Sequence, residues 1–171
     1  MKALLTLLRT NDRIEPPLLR LFLGVVFFPH GAQKVFGWFG GYGLAGTLGF
    51  FTQQMHIPAL FALLAIAAEF AGSLGLIVGL LTRVAALGIL ANMLVAVATV
   101  HSKVGFFMNW SGKQPGEGFE FHLLAIGMAL ALIIAGGGKL SADRALADPL
   151  AASPNDEAQK IQNPTKARRA T

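Results

Sequence analysis

The 171 residues contain no cysteine, which excludes a thiol relay, a disulfide or a cysteine-ligated iron–sulfur cluster within this chain. Any sulfur chemistry would have to occur on a substrate or a partner. Charge is scarce as well: 13% of residues are Asp, Glu, Lys or Arg and 54% are hydrophobic, against roughly 25% and about 45–50% in soluble domains. That disfavours an ordinary soluble domain. The deciding question is whether charge is missing from stretches of ~20 residues, the length at which a helix crosses a bilayer.

Four stretches meet that description. Leu18 to Phe36 is apolar after Arg20 until a polar cluster near its end, and Ala59 to Leu81 holds one ionisable group, Glu69. Val84 to Val100 has none, with Asn92 its most polar residue; Phe119 to Ala135 has Glu120 and His122 at one end and no charge beyond. The last two reach spanning length by including flanking residues. Helices apolar on all sides would leave a small soluble domain no polar outer face. The reading is an all-α, integral-membrane four-helix bundle with spans near 18–36, 59–81, 84–101 and 119–138.

Eleven of the fourteen basic residues precede the first span, stand at its start (Arg20), lie in the 82–83 turn or follow the fourth span; Lys34, Lys103 and Lys113 lie at the other end. Both termini are therefore expected on the cytoplasmic side. The net charge of +5 and pI near 10 reflect membrane-flanking anchors, so no nucleic-acid partner is expected. Residues 1–15 read as a cytoplasmic amphipathic segment rather than a signal peptide, because Arg9, Asp12 and Arg13 interrupt the apolar run. Pro16 and Pro17 suit the first turn of the next helix. Residues 16–146 form the membrane domain, and 147–171, rich in Pro, Asn, Asp, Gln and Lys, read as a disordered cytoplasmic tail.

The second and third spans are joined by about two residues, Thr82 and Arg83, which implies a tight antiparallel hairpin. The outer loops are longer and carry Trp38, Phe39, Tyr42, Phe50, Phe51, Phe106, Phe107 and Trp110, rings suited to headgroup level. Gly41, Gly43 and Gly46 fit a G-x-G-x-x-G spacing, but an apolar helix precedes them where a dinucleotide site needs a strand. They are read as turn-forming glycines.

The informative residues are polar ones that a bilayer should exclude. Counting ~1.5 Å per residue from the outer ends, Glu69 lies about 15 Å deep, His30 about 9 Å and Lys34 about 3 Å. His101 and Glu120 sit near the outer boundary. His30 and Lys34, four residues apart, share a helix face. A charged, unpaired Glu69 would cost ~2.5–3.5 kcal/mol or more, so it needs a partner or a proton. Lys34 is the expected partner. Small residues at Ala71, Gly75 and Gly79, and at Gly127 and Ala131, are expected to let helices pack closely. Two readings stay open: a structural network fixing helix register, and a ligand- or proton-handling site.

Arg20, Leu21, Gly24, Phe28, His30, Gly31 and Lys34, then Glu69, Gly72, Gly79, Leu80, Thr82 and Arg83, then His101, Gly105, Phe106, Phe107 and Glu120, and finally Gly136, Gly138, Ser141 and Asp143 follow one another in an order that resembles the DoxX family of small bacterial inner-membrane proteins. The resemblance covers about residues 18–143. It implies a four-helix, multi-pass protein of the bacterial inner membrane, and, because many members are labelled oxidoreductases, a link to redox chemistry on quinones or thiols.

A quinone fits the polar residues, since its two carbonyls need hydrogen-bond donors and its reduction needs protons. His30, Lys34 and Glu69 are the catalytic candidates. The ligand-binding set is His30, Lys34, Glu69, Asn92, His101, Glu120, Phe106 and Phe107, with Phe27 and Phe28 as further ring-lining residues. Haem held by two of His30, His101 and His122 is disfavoured because their depths differ. A metal set drawn from His30, Glu69, His101 and Glu120 has no better support, and no metal is assigned. The expected partners are the lipid bilayer and a soluble or membrane redox protein, with a second copy of the chain open as another. The resulting expectation is a quinone- or lipid-interacting membrane subunit associated with oxidoreduction. The alternative is a non-enzymatic membrane module that binds an amphiphile or stabilises a partner protein.

Overall fold

The computed structural model describes residues 2–8, 10 and 13–151. Seven α-helices are found among them: α1 (Lys2–Leu8), α2 (Glu15–Phe36), α3 (Gly43–Gly49), α4 (Ala59–Val78), α5 (Thr82–Thr99), α6 (Glu120–Ala135) and α7 (Ala142–Ala151). No strand occurs among the described residues. The four apolar stretches correspond to α2, α4, α5 and α6. Pro16 and Pro17 lie in the first turn of α2, where a missing N–H costs nothing. Its far end is closed by Gly37 at φ 74°, whose N–H bonds to Gln33 O at 3.2 Å.

Helix α2 packs on α4, α4 on α5, α5 on α6, and α6 back on α2, while α1 rests against α7 and α5. The shared core is built from Leu23, Phe27, Leu76, Ala86, Ile89, Met93, Ala125, Ala129 and Leu132. Leu60, Phe61 and Leu64 of α4, Leu87, Leu94 and Val95 of α5, and Leu124 and Ile134 of α6 face outward. Helices α4 and α5 are long and apolar enough to cross a membrane, and only 33% and 28% of their most apolar windows are buried inside the protein. The core helix of a soluble protein would be mostly covered; these are apolar on the outside.

Close helix contact depends on small residues, among them the expected Gly75 and Gly79, whose added Cβ atoms would lie 2.9 Å from Leu80 O and 2.7 Å from Ser141 Cβ, and others that were not expected. A Cβ on Gly31 would lie 2.6 Å from Phe70 Cα, and one on Gly24 2.8 Å from Ser73 O, so α2 meets the backbone of α4. A Cβ on Gly88 of α5 would come 2.9 Å from Ala68 Cβ. Gly127, by contrast, faces open space and Ala71 is exposed. A helix apolar on every face offers no pattern from which to read which small stripe faces inward. Gly31→Ala is therefore expected to destabilise by at least ~1–3 kcal/mol, the cost of overpacking, and Gly127→Ala to be neutral or stabilising by ~0.5–1 kcal/mol through helix propensity. Unfolding midpoints in mixed micelles would check both.

The α4–α5 connection is Gly79 to Leu81 rather than Thr82–Arg83, since α5 already starts at Thr82. The segment between α2 and α4, expected as an aromatic loop, folds into α3 and a π-helical turn over Phe50–Gln54. Helix α7 continues to Ala151, past the start of the expected tail at 147; the rest of that tail, 152–171, lies outside the described residues.

Candidate functional site

Glu69 sits midway along α4 and is 8% exposed, so its carboxylate must find partners inside the protein. It finds them on both neighbouring helices. Lys34 Nζ, near the end of α2, donates to Glu69 Oε2 in an ion pair. Asn92 of α5 donates from Nδ2 to Ala65 O at 2.8 Å and, at the longer distance of 3.5 Å, to Glu69 Oε1. The close approach at Gly31 brings the two backbones together one turn before Lys34. Three helices thus converge on one carboxylate.

His30 occupies the turn of α2 preceding Lys34. It lies near enough to both Glu69 and Lys34 to interact with them electrostatically, yet it is exposed at the protein surface rather than enclosed. Its ring lies 6.1 Å from that of Phe27. A hydrogen-bonding edge at the surface beside a half-buried ion pair offers a lateral approach to an amphiphile.

The other expected ligand residues gather elsewhere. Glu120 Oε1 accepts from Met108 N at 2.8 Å and Trp110 Nε1 at 3.2 Å, which commits the carboxylate to holding the 100–119 loop. Phe106 packs against Phe107 at 5.1 Å and Phe119 at 5.4 Å, in the loop. Phe27 is buried against Phe121, and Phe28 packs on Phe70. The four rings do not form one wall. His101 donates from Nδ1 to Glu117 O at 2.8 Å, the only polarity open to a carbonyl partner, and its ring lies 4.0 Å from that of His122. His30, Glu69, His101 and Glu120 do not converge on a point, and no group of three His, Asp or Glu suited to a metal occurs among the described residues.

Two features escaped sequence reading. His122 is 6% exposed, and its Nδ1 is buried without a hydrogen-bond partner; it looked like an interfacial residue because it follows Glu120. At the opposite end of the helices, Arg20 and Arg83, read as flanking charges, and Asp143 join separate elements. Arg20 donates to Leu76 O, Ile77 O, Gly137 O and Leu140 O. Arg83 donates to Ile133 O and Ile134 O, and Asp143 accepts from Leu81 N and Thr82 N. The resemblance already named Arg20, Arg83 and Asp143 together, which was the available signal.

These observations define an all-α protein with two apolar helices long enough to cross a membrane, a polar node midway along α4 and a charged clasp at one end. The chain belongs to the DoxX family, whose model matches residues 16–102 and whose members are membrane-associated. It is 30% identical over 115 residues, 67% of this chain and 75% of the relative, to the protein named "Putative oxidoreductase CatD" of Bacillus subtilis (strain 168). No solved structure matches the chain.

Proposed function

We propose that this chain is a quinone-binding subunit of the bacterial inner membrane, associated with oxidoreduction by a partner. In this reading α2, α4, α5 and α6 form a multi-pass, membrane-embedded bundle with both ends of the chain cytoplasmic, as the sorting of basic residues supports. The observation that carries the site is the Lys34–Glu69 pair, held by three helices, with His30 presenting a polar edge at the surface next to it. Lys34 and His30 supply donors for a quinone carbonyl, and Glu69 supplies a place for a proton. The oxidoreductase name of the B. subtilis relative agrees with this chemistry. Electrons come from a partner or a second substrate, since the chain has no cysteine to relay them.

Binding of menadione and of a short-chain ubiquinone to the protein in nanodiscs, measured by saturation-transfer NMR, tests the proposal. Saturable binding is expected, weakened about tenfold in the Lys34→Met/Glu69→Leu double variant, the ~1.4 kcal/mol of one hydrogen bond from a charged donor. Absence of saturable binding in the wild type would sink it. That result would favour the non-enzymatic reading, in which the node fixes helix register for a partner.

A further inference from the structure

We propose that His101, His122 and His30 form a proton path between the 100–119 loop and the Lys34–Glu69 pair. The inference rests on the reading of that pair as a proton-handling site. His122 projects from the first turn of α6 and is more than nine-tenths buried, with a ring nitrogen that no protein group satisfies. Such a nitrogen is costly unless something uses it. His101 of the loop lies 4.0 Å away ring to ring; His30 of α2 is joined to the start of α6 through Phe27, whose ring lies 6.1 Å from those of both His30 and Phe121, the residue before His122, and it lies within electrostatic range of His122 and of the Lys34–Glu69 pair. Three elements contribute one imidazole each between the loop and the Glu69 carboxylate.

The chemistry of each ring suits the order. His101 gives its Nδ1 proton to the Glu117 carbonyl, so when neutral it keeps Nε2 as an acceptor. A proton arriving at Nε2 makes an imidazolium whose Nδ1–H bond to that carbonyl persists. The charged groups on this side of His122 do not compete for its proton: Glu117 Oε2 accepts from Asn109 N at 2.7 Å, and Glu120 Oε1 is held by Met108 N and Trp110 Nε1. In each step one N–H bond breaks and one forms on the next ring, directly between His101 and His122 and through intervening water beyond them, and no electron moves. His101, half-buried in the loop, completes the exchange with solvent. Protons from outside thereby reach mid-depth without a water-filled channel.

The experiment uses full-length protein in nanodiscs with ¹⁵N-labelled histidine and no quinone. The four histidine signals are assigned by single His→Gln variants, and His56, exposed on the α2–α4 connection, serves as an internal control. Proton exchange of His30 with water is expected to slow at least tenfold in His101→Ala and in His122→Gln, while His56 is unchanged. Added free imidazole should restore the rate in His101→Ala, which a packing role would not produce. Unchanged His30 exchange in the folded His101→Ala protein, or slowing that imidazole fails to rescue, would overturn the path. Because no quinone is present, failure here leaves the binding measurement above to stand or fall separately.

Discussion

Lys34→Met is expected to cost about 3–5 kcal/mol of stability, the penalty for leaving a buried charge without its partner. Glu69, 8% exposed, would keep Asn92 Nδ2 alone, at 3.5 Å. The companion variant separates charge from packing. Lys34→Met/Glu69→Leu removes both charges and fills the space with apolar atoms, and replacing a whole buried pair in this way is often neutral or stabilising. Recovery of most of the loss in the double variant, read from unfolding midpoints in mixed micelles, is the expected result. Equal losses in single and double variants would mean that the pair acts through packing, and the case for a poised charge at this depth would fall with it.

The same pair shows how far the sequence could be read. Lys34 and Glu69 were identifiable as partners because each is an ionisable residue in an apolar run, and two such residues on consecutive helices have few other solutions. The existence of α2, α4, α5 and α6 was legible for the same reason, since long uncharged runs have one common fate. Rotation of each helix was not legible. Helices α5 and α6 are apolar on all sides, so nothing in their pattern says that Gly88 faces a neighbour and Gly127 faces out. The loop ligands were misplaced for a related reason. Glu120 was placed in the ligand set from its position near the outer boundary and from the resemblance, whereas its direction is set by the backbone N–H of Met108 and the indole of Trp110, contacts that depend on how a loop rich in Gly and polar residues turns. His122 was weighed only as a haem ligand, because nothing in its sequence position says that its ring is buried with an unpartnered nitrogen.

Arg20→Met is expected to be nearly as damaging, at least ~3 kcal/mol, although it lies at the end of the helices remote from the ion pair. An α-helix leaves its last four carbonyls without internal donors. In α4 the Gly75 carbonyl is satisfied by Gly79 N at 2.7 Å and Leu80 N at 2.8 Å, and those of Leu76 and Ile77 by the Arg20 guanidinium, at 3.0 and 2.6 Å. The same guanidinium reaches Gly137 O at 3.1 Å and Leu140 O at 2.6 Å, tying the α6–α7 connection to α2 and α4. Its 5% exposure leaves little access for replacement water, so each carbonyl orphaned by the substitution carries a desolvation cost of about 1–3 kcal/mol. Gly79 makes the arrangement possible: it has φ 77°, and a Cβ there would lie 2.9 Å from Arg20 Cζ and 2.7 Å from Ser141 Cβ. Across the turn, Asp143 takes the exposed N–H groups of Leu81 and Thr82 at 2.5 and 2.9 Å, so cation and anion each sit at the helix end whose dipole favours them. Arg20→Lys should recover less than half of the loss, because one ammonium cannot span four carbonyls on two segments as a planar fork does. Quinone affinity of the protein that remains folded should stay unchanged, since the clasp touches neither Lys34 nor Glu69; a parallel loss of affinity would show that the clasp sets the geometry of the node from the other end of α2.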